Sequence, residues 1–99
     1  MVSKKWLITS QYKETSIAIL QENLSALRAK AAITQEELAN LIGVSRQTYY
    51  GIETGKREMS WTIYIALIFF FHSLNSTKEM IDELKIYPIE LIMKFNGEI

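Results

Sequence analysis

Arg46 and Gln47 stand side by side directly after Ser45, and Lys56 and Arg57 follow ten residues further on. A guanidinium presents a planar fork that fits the O6 and N7 of guanine, and a carboxamide fits the N6 and N7 of adenine. A pair of neighbouring cations suits phosphate oxygens, which position a protein on a duplex without carrying sequence information. For Arg46 and Gln47 to reach base edges, they must occupy the first turn of an exposed helix held at a fixed angle. The stretch "TQEELANLIGVSRQTYYGIETGKR" supplies the means, because little more than Gly43-Val44-Ser45 separates two helical patterns.

The elements around that joint read as helices. Ile17, Leu20, Leu24 and Leu27 recur at helical spacing and predict a helix from about Thr15 to Lys30. Thr34 and Glu37 form a capping box for the next helix, which buries Leu38, Ala39 and Ile42 and which Gly43 ends in the left-handed conformation. Ser45 caps a helix from Arg46 to about Glu53 that Gly55 can terminate, and Ser60 caps another from Trp61 to Phe71. Ser76 with Glu79 makes a capping box for a helix through Tyr87, and Pro88 stops it, kinks it or starts a short helix "PIELIMKF". Only "SKKWLIT" offers a candidate strand, so the fold class is all-α. On the Arg46 helix, Tyr49 and Ile52 fall on one side with Thr48 at the edge. Arg46, Gln47, Tyr50 and Gly51 fall on the other.

Composition narrows the function. A chain of 99 residues has room for one domain, 1–99, and one core. The absence of cysteine removes disulfide scaffolds and thiolate metal sites and suits a reducing compartment. The apolar run "IYIALIFFF" is far short of the roughly 20 residues a membrane span requires, so a soluble, cytoplasmic protein with no membrane partner is expected. Net charge is zero, but residues 1–57 hold 8 of the 11 Lys and Arg and 5 of the 11 Asp and Glu. That +3 half, against −3 in the remainder, can still turn a positive face to DNA.

No nucleophile–base pair, glycine-rich phosphate loop or metal spacing is visible, so no enzyme, cofactor or metal is expected. The single histidine, His72, reads as an end-of-helix residue, and the acids of "EMIDE" read as a solvated helical face. Tyr49-Tyr50 resembles a stacking platform for single strands. The helical wheel instead assigns Tyr49 to the core and leaves only Tyr50 able to touch a partner.

Taken jointly, "TQEELA", the turn "GVS", "RQT", "IETGK" and the apolar helix after them resemble the Cro/phage-repressor-type (XRE-like) helix-turn-helix domain of bacterial and phage regulators. The likeness spans about residues 20–72. It implies a lambda-repressor-like five-helix domain with its core at about 17–72, short terminal extensions, and double-stranded DNA as partner. By position, it implies base readout by Arg46 and Gln47, with Thr48 and Tyr50 secondary. It also implies phosphate contacts from Gln35, Ser45, Lys56 and Arg57, and a structural ion pair between Arg28 and Glu53. Two departures stand out. Met59 replaces the usual proline, which predicts a looser approach to the helix after it, and Gly51 offers no side chain where relatives often reach a base.

The Trp61 helix carries more apolar surface than one core face needs. Trp61, Tyr64, Ile65, Ile68 and Phe71 suffice for the core, leaving Ile63, Ala66, Phe69 and Phe70 as surplus. The segment 73–99 or a second subunit can cover it, and relatives dimerise through this region, so Ile63, Phe69 and Phe70 are candidates for a homodimer interface. The expected function is a sequence-specific transcriptional regulator, a repressor bound as a homodimer to a pseudo-palindromic operator. The rivals are an antitoxin whose 73–99 segment binds a toxin, with an inducer protein as another possible occupant of that segment, and an adaptor that uses the fold to bind protein.

Overall fold

The computed structural model describes residues 7–88, which form five α-helices and, among the described residues, no strand. They are α1 (Ser10–Ala31), α2 (Gln35–Ile42), α3 (Arg46–Glu53), α4 (Trp61–Ser73) and α5 (Asn75–Leu84). Residues 3–6 of the candidate strand, and all but Pro88 of "PIELIMKF", lie outside the described residues. None of the described helices is long and apolar enough to cross a membrane.

α1 begins at Ser10, five residues before the expected Thr15, because Thr9 caps it by accepting from the Tyr12 N–H at 3.1 Å. Its buried stripe is Ser16, Leu20, Leu24 and Leu27. The serine at the head of that stripe breaks the apolar pattern that marks a helix in sequence. The core gathers these leucines with Leu38, Tyr49, Ile52, Tyr64, Leu67, Phe71 and Ile81, each with no exposed surface. Burying each aliphatic side chain contributes about 2 kcal/mol against the entropy of ordering the chain.

Four expectations for the C-terminal half are corrected. Met59 is a core residue at 4% exposure, so the approach to α4 is anchored rather than loose, and Ser60 caps α4 through the Ile63 N–H at 3.2 Å. The inner stripe of α4 is Tyr64, Leu67, Ile68 and Phe71, whereas Ile65, assigned to the core, is 42% exposed. Leu67 takes that role because α4 is enclosed by α1, α5 and α2, and the 64–67–68–71 spacing faces all three. Ser76 and Glu79 form no capping box: α5 starts one residue after Leu74 with no side-chain cap, and it ends at Leu84 rather than Tyr87.

The α4–α5 corner is closed instead by buried Thr77, whose hydroxyl donates to the Phe71 carbonyl. The α5 end follows from Lys85, which takes a left-handed φ of 56° and turns Ile86 back into the core. There the Tyr64 hydroxyl donates to the Ile86 carbonyl. His72 clasps the same corner: its Nε2 lies 2.9 Å from Asp82 Oδ1, and its ring stacks on Tyr87 at 4.0 Å.

One polar cluster joins the three N-terminal helices. Glu53, at the end of α3, accepts Arg28 Nε at 2.9 Å on Oε1 and Arg28 Nη2 at 3.1 Å on Oε2. Gln35 Nε2 donates to Oε2 at 2.7 Å and the Tyr49 hydroxyl to Oε1 at 2.8 Å. Burial acts to raise the Glu53 carboxyl, but the hydrogen bonds from Arg28, Tyr49 and Gln35 and the Arg28 charge outweigh it, holding the group below its ordinary 4.5. The Tyr49 phenol is pushed far above its ordinary 10.0, first by burial and then by its hydrogen bond to Glu53, so it stays a donor.

Two predictions follow from this cluster. Removing the carboxylate strands donors from three residues, whereas removing Arg28 leaves Glu53 with two donors. Glu53→Ala should therefore cost about 4 kcal/mol and Arg28→Ala about 2 kcal/mol, with a coupling of about 1–3 kcal/mol in the double-mutant cycle. Denaturant melts decide this, and strictly additive losses would contradict the pairing. A carboxyl depressed by folding stabilises above its unfolded value, and that contribution disappears as pH falls through the folded one. The melting temperature should drop below about pH 4.5, and Glu53→Gln should make that drop shallower. Parallel acid profiles for the two proteins would refute the assignment.

Candidate nucleic-acid interface

The joint between α2 and α3 is as short as the sequence demands. Thr34 accepts from the Glu37 N–H at 3.1 Å while the Glu37 carboxylate accepts from the Thr34 N–H at 3.0 Å. The Thr34 backbone N–H, and after it the Thr34 side chain, lowers the Glu37 carboxyl by hydrogen bonding to it. At the other end of α2, Gly43 adopts φ 81°, a left-handed conformation that costs a glycine little. The Val44 N–H then returns to the Ala39 carbonyl at 3.0 Å, a Schellman-type closure. Ser45 caps α3 at once, accepting from the Thr48 N–H at 3.0 Å. The chain thus leaves one helix and enters the next over three residues, each with its backbone direction set by a hydrogen bond or cap.

α3 buries Tyr49 and Ile52 completely. Arg46, Gln47 and Tyr50 are exposed, and Thr48 is half-buried at the edge. Thr48 is tied locally, since its Oγ1 accepts from Ser45 Oγ at 2.9 Å and lies 3.5 Å from Arg57 Nη1. The Gln35 side chain turns inward to Glu53, so any anion it meets at the start of α2 falls to its remaining amide hydrogen and to the backbone N–H groups there. A shallow, open depression lined by Arg28, Thr34, Gln35, Glu36 and Arg46 places the start of α2 and the start of α3 on one side of the molecule. Lys56 and Arg57 are exposed in the loop after α3, and their N–H groups both donate to the Gly51 carbonyl, at 2.9 and 3.0 Å.

Sequence reasoning missed Gln21. From α1 its amide donates to the Ile52 carbonyl at 2.8 Å and to the Arg57 carbonyl at 3.0 Å, pinning the end of α3 and the loop after it. The partners are 31 and 36 residues away, and a lone glutamine on a helix face carries no local signal of such a role. On α4, Phe69 is 74% exposed and Ile65 stands one turn before it, whereas Ile63 and Phe70 pack partly against the core. The exposed apolar ridge is therefore Ile65–Phe69, and Ile65 is an addition to the sequence-based candidates. Among the described residues no group of three or more His, Cys, Asp or Glu could hold a metal ion.

A helix-turn-helix domain family matches residues 22–70, which contain α2, the turn, α3 and most of α4. An uncharacterized HTH-type transcriptional regulator of Methanocaldococcus jannaschii is 40% identical over 52 residues, covering 52% of this chain and 79% of the relative. No solved structure matches the chain. With its two capped helices, its three-residue turn and that likeness over most of the relative's length, this chain belongs to the XRE-type helix-turn-helix family of transcriptional regulators.

Proposed function

We propose that this protein is a sequence-specific regulator of transcription that binds double-stranded DNA as a homodimer and represses by occupying a pseudo-palindromic operator. The observation that carries the reading is the division of α3: Tyr49 and Ile52 lock it to the core while Arg46 and Gln47 project from its first turn. A helix held in this way can lie in the major groove with its N-terminal side chains at base edges, while the helix before it crosses the backbone. Arg46 and Gln47 are the primary readers, and Tyr50 adds a half-exposed ring beside them. The starts of α2 and α3, near Gln35 and Ser45, together with Lys56, meet phosphates. The Ile65–Phe69 ridge supports self-association, since an apolar ridge on the surface is stabilised by a second copy that covers it.

Binding should depend steeply on salt. With roughly 3–4 phosphate contacts per subunit, the log–log slope for a dimer is about −5 to −7. Lys56→Ala should weaken all duplexes alike and reduce that slope by about 1. Arg46→Ala or Gln47→Ala should relax selectivity at one base pair by about 1–3 kcal/mol. Fluorescence anisotropy on selected and random duplexes at several salt concentrations tests this. A salt-independent interaction, or two classes of variant that behave identically, would overturn it.

Phe69→Glu should give a folded monomer that retains half-site affinity but loses orders of magnitude on the full operator, as the effective concentration of the second half is lost. Sedimentation with circular dichroism reads the outcome. A folded variant that remains dimeric would exclude this ridge as the interface.

A further inference from the structure

We infer that Arg57 reads a base, reaching the recognition surface through the space that Gly51 leaves on α3. The inference rests on the DNA-reading assignment of α3 above. Gly51 lies on the outer side of the helix, one turn beyond Gln47 and Thr48. The space that a side chain would occupy there is taken: a Cβ on Gly51 would stand 3.3 Å from Arg57 Cβ and 3.8 Å from Arg57 Nε. The Arg57 stem therefore lies across the glycine, and its guanidinium continues toward the start of α3, with Nη1 3.5 Å from Thr48 Oγ1. That is the end of the recognition helix whose side chains approach base edges.

The backbone beneath this side chain is fixed on both sides. The Arg57 N–H donates to the Gly51 carbonyl at 3.0 Å, and its carbonyl accepts from Gln21 at 3.0 Å. A loop cation that only had to meet phosphate would need neither the glycine nor the double anchorage. A guanidinium set beside Thr48 acts as though it grew from α3 itself, and its ligand is the O6 and N7 edge of a guanine. Gly51 then suits the site, because even a methyl there would press on the Arg57 stem at 3.3 Å and larger side chains would compete for its place.

The test compares base preference with general affinity for the full chain. Bound fragments are selected from a random duplex library with the wild-type protein, Arg57→Gln, Gly51→Ala and Lys56→Ala, and thermal melts confirm folding. A glutamine fits adenine where arginine fits guanine. Arg57→Gln should therefore lower guanine discrimination at a single base pair of each half-site by roughly 5- to 150-fold, with preference moving toward adenine. Gly51→Ala keeps the charge but presses a methyl on the Arg57 stem at 3.3 Å, so it should lower discrimination at that same pair, while Lys56→Ala leaves the preference unchanged. If Arg57→Gln weakens selected and random DNA equally and leaves the preference intact, Arg57 is a phosphate contact and the inference is wrong while the reading of α3 stands. If the wild-type protein enriches no sequence, the reading of α3 fails, and this inference with it.

Discussion

The orientation of α3 depends on the Glu53 carboxylate. α3 has eight residues, too few to hold a helical conformation in water without tertiary contacts. Tyr49 and Ile52 fix which side of it faces the core, but two apolar anchors still allow a short helix to rock about its axis. The carboxylate at its last turn removes that freedom, because it accepts two bonds from Arg28 on α1, one from Gln35 on α2 and one from Tyr49. A mostly buried carboxylate would be costly if its oxygens lacked donors; with four bonds it becomes a geometric constraint shared by three helices. Gln35 is both a residue of the first turn of α2 and a donor to Glu53, so the two halves of the helix-turn-helix are linked through a side chain as well as through the turn.

Legibility in the sequence followed the range of the interaction. The caps at Thr34, Ser45 and Ser60 and the left-handed Gly43 are local, with each donor and acceptor within a few residues, and the structure contains all four. So is the division of α3, since a helical wheel needs only the 3.6-residue period. What the sequence hid was set at a distance. Thr77 reaches back to α4 while α5 starts after Leu74 with no side-chain cap, and the enclosure of α4 on several sides selects Leu67 over Ile65. Gln21 is the clearest instance, as its role is defined only by two carbonyls brought to it by folding. The Arg28–Glu53 pairing followed from family resemblance, and no local pattern would have joined two charges 25 residues apart.

The relation between Gly51 and Arg57 changes what a missing side chain means. Taken one element at a time, a glycine on the outer face of a recognition helix removes a possible reader. In three dimensions the Arg57 side chain of the loop lies against that place, and the backbone bonds from Lys56 and Arg57 to the Gly51 carbonyl tie the loop to α3. The position of the Arg57 guanidinium then depends on α1, because Gln21 holds the carbonyl of that residue and the carbonyl of Ile52 together. Scaffold and outer surface are therefore linked here: a change in α1 that removed the Gln21 bonds would free the loop to move relative to α3, and with it the spacing between Gln47 and the guanidinium beside Thr48. If α3 and Arg57 read bases as proposed, selectivity is a property of the register between two segments, and that register is maintained by one glutamine amide and one glycine carbonyl.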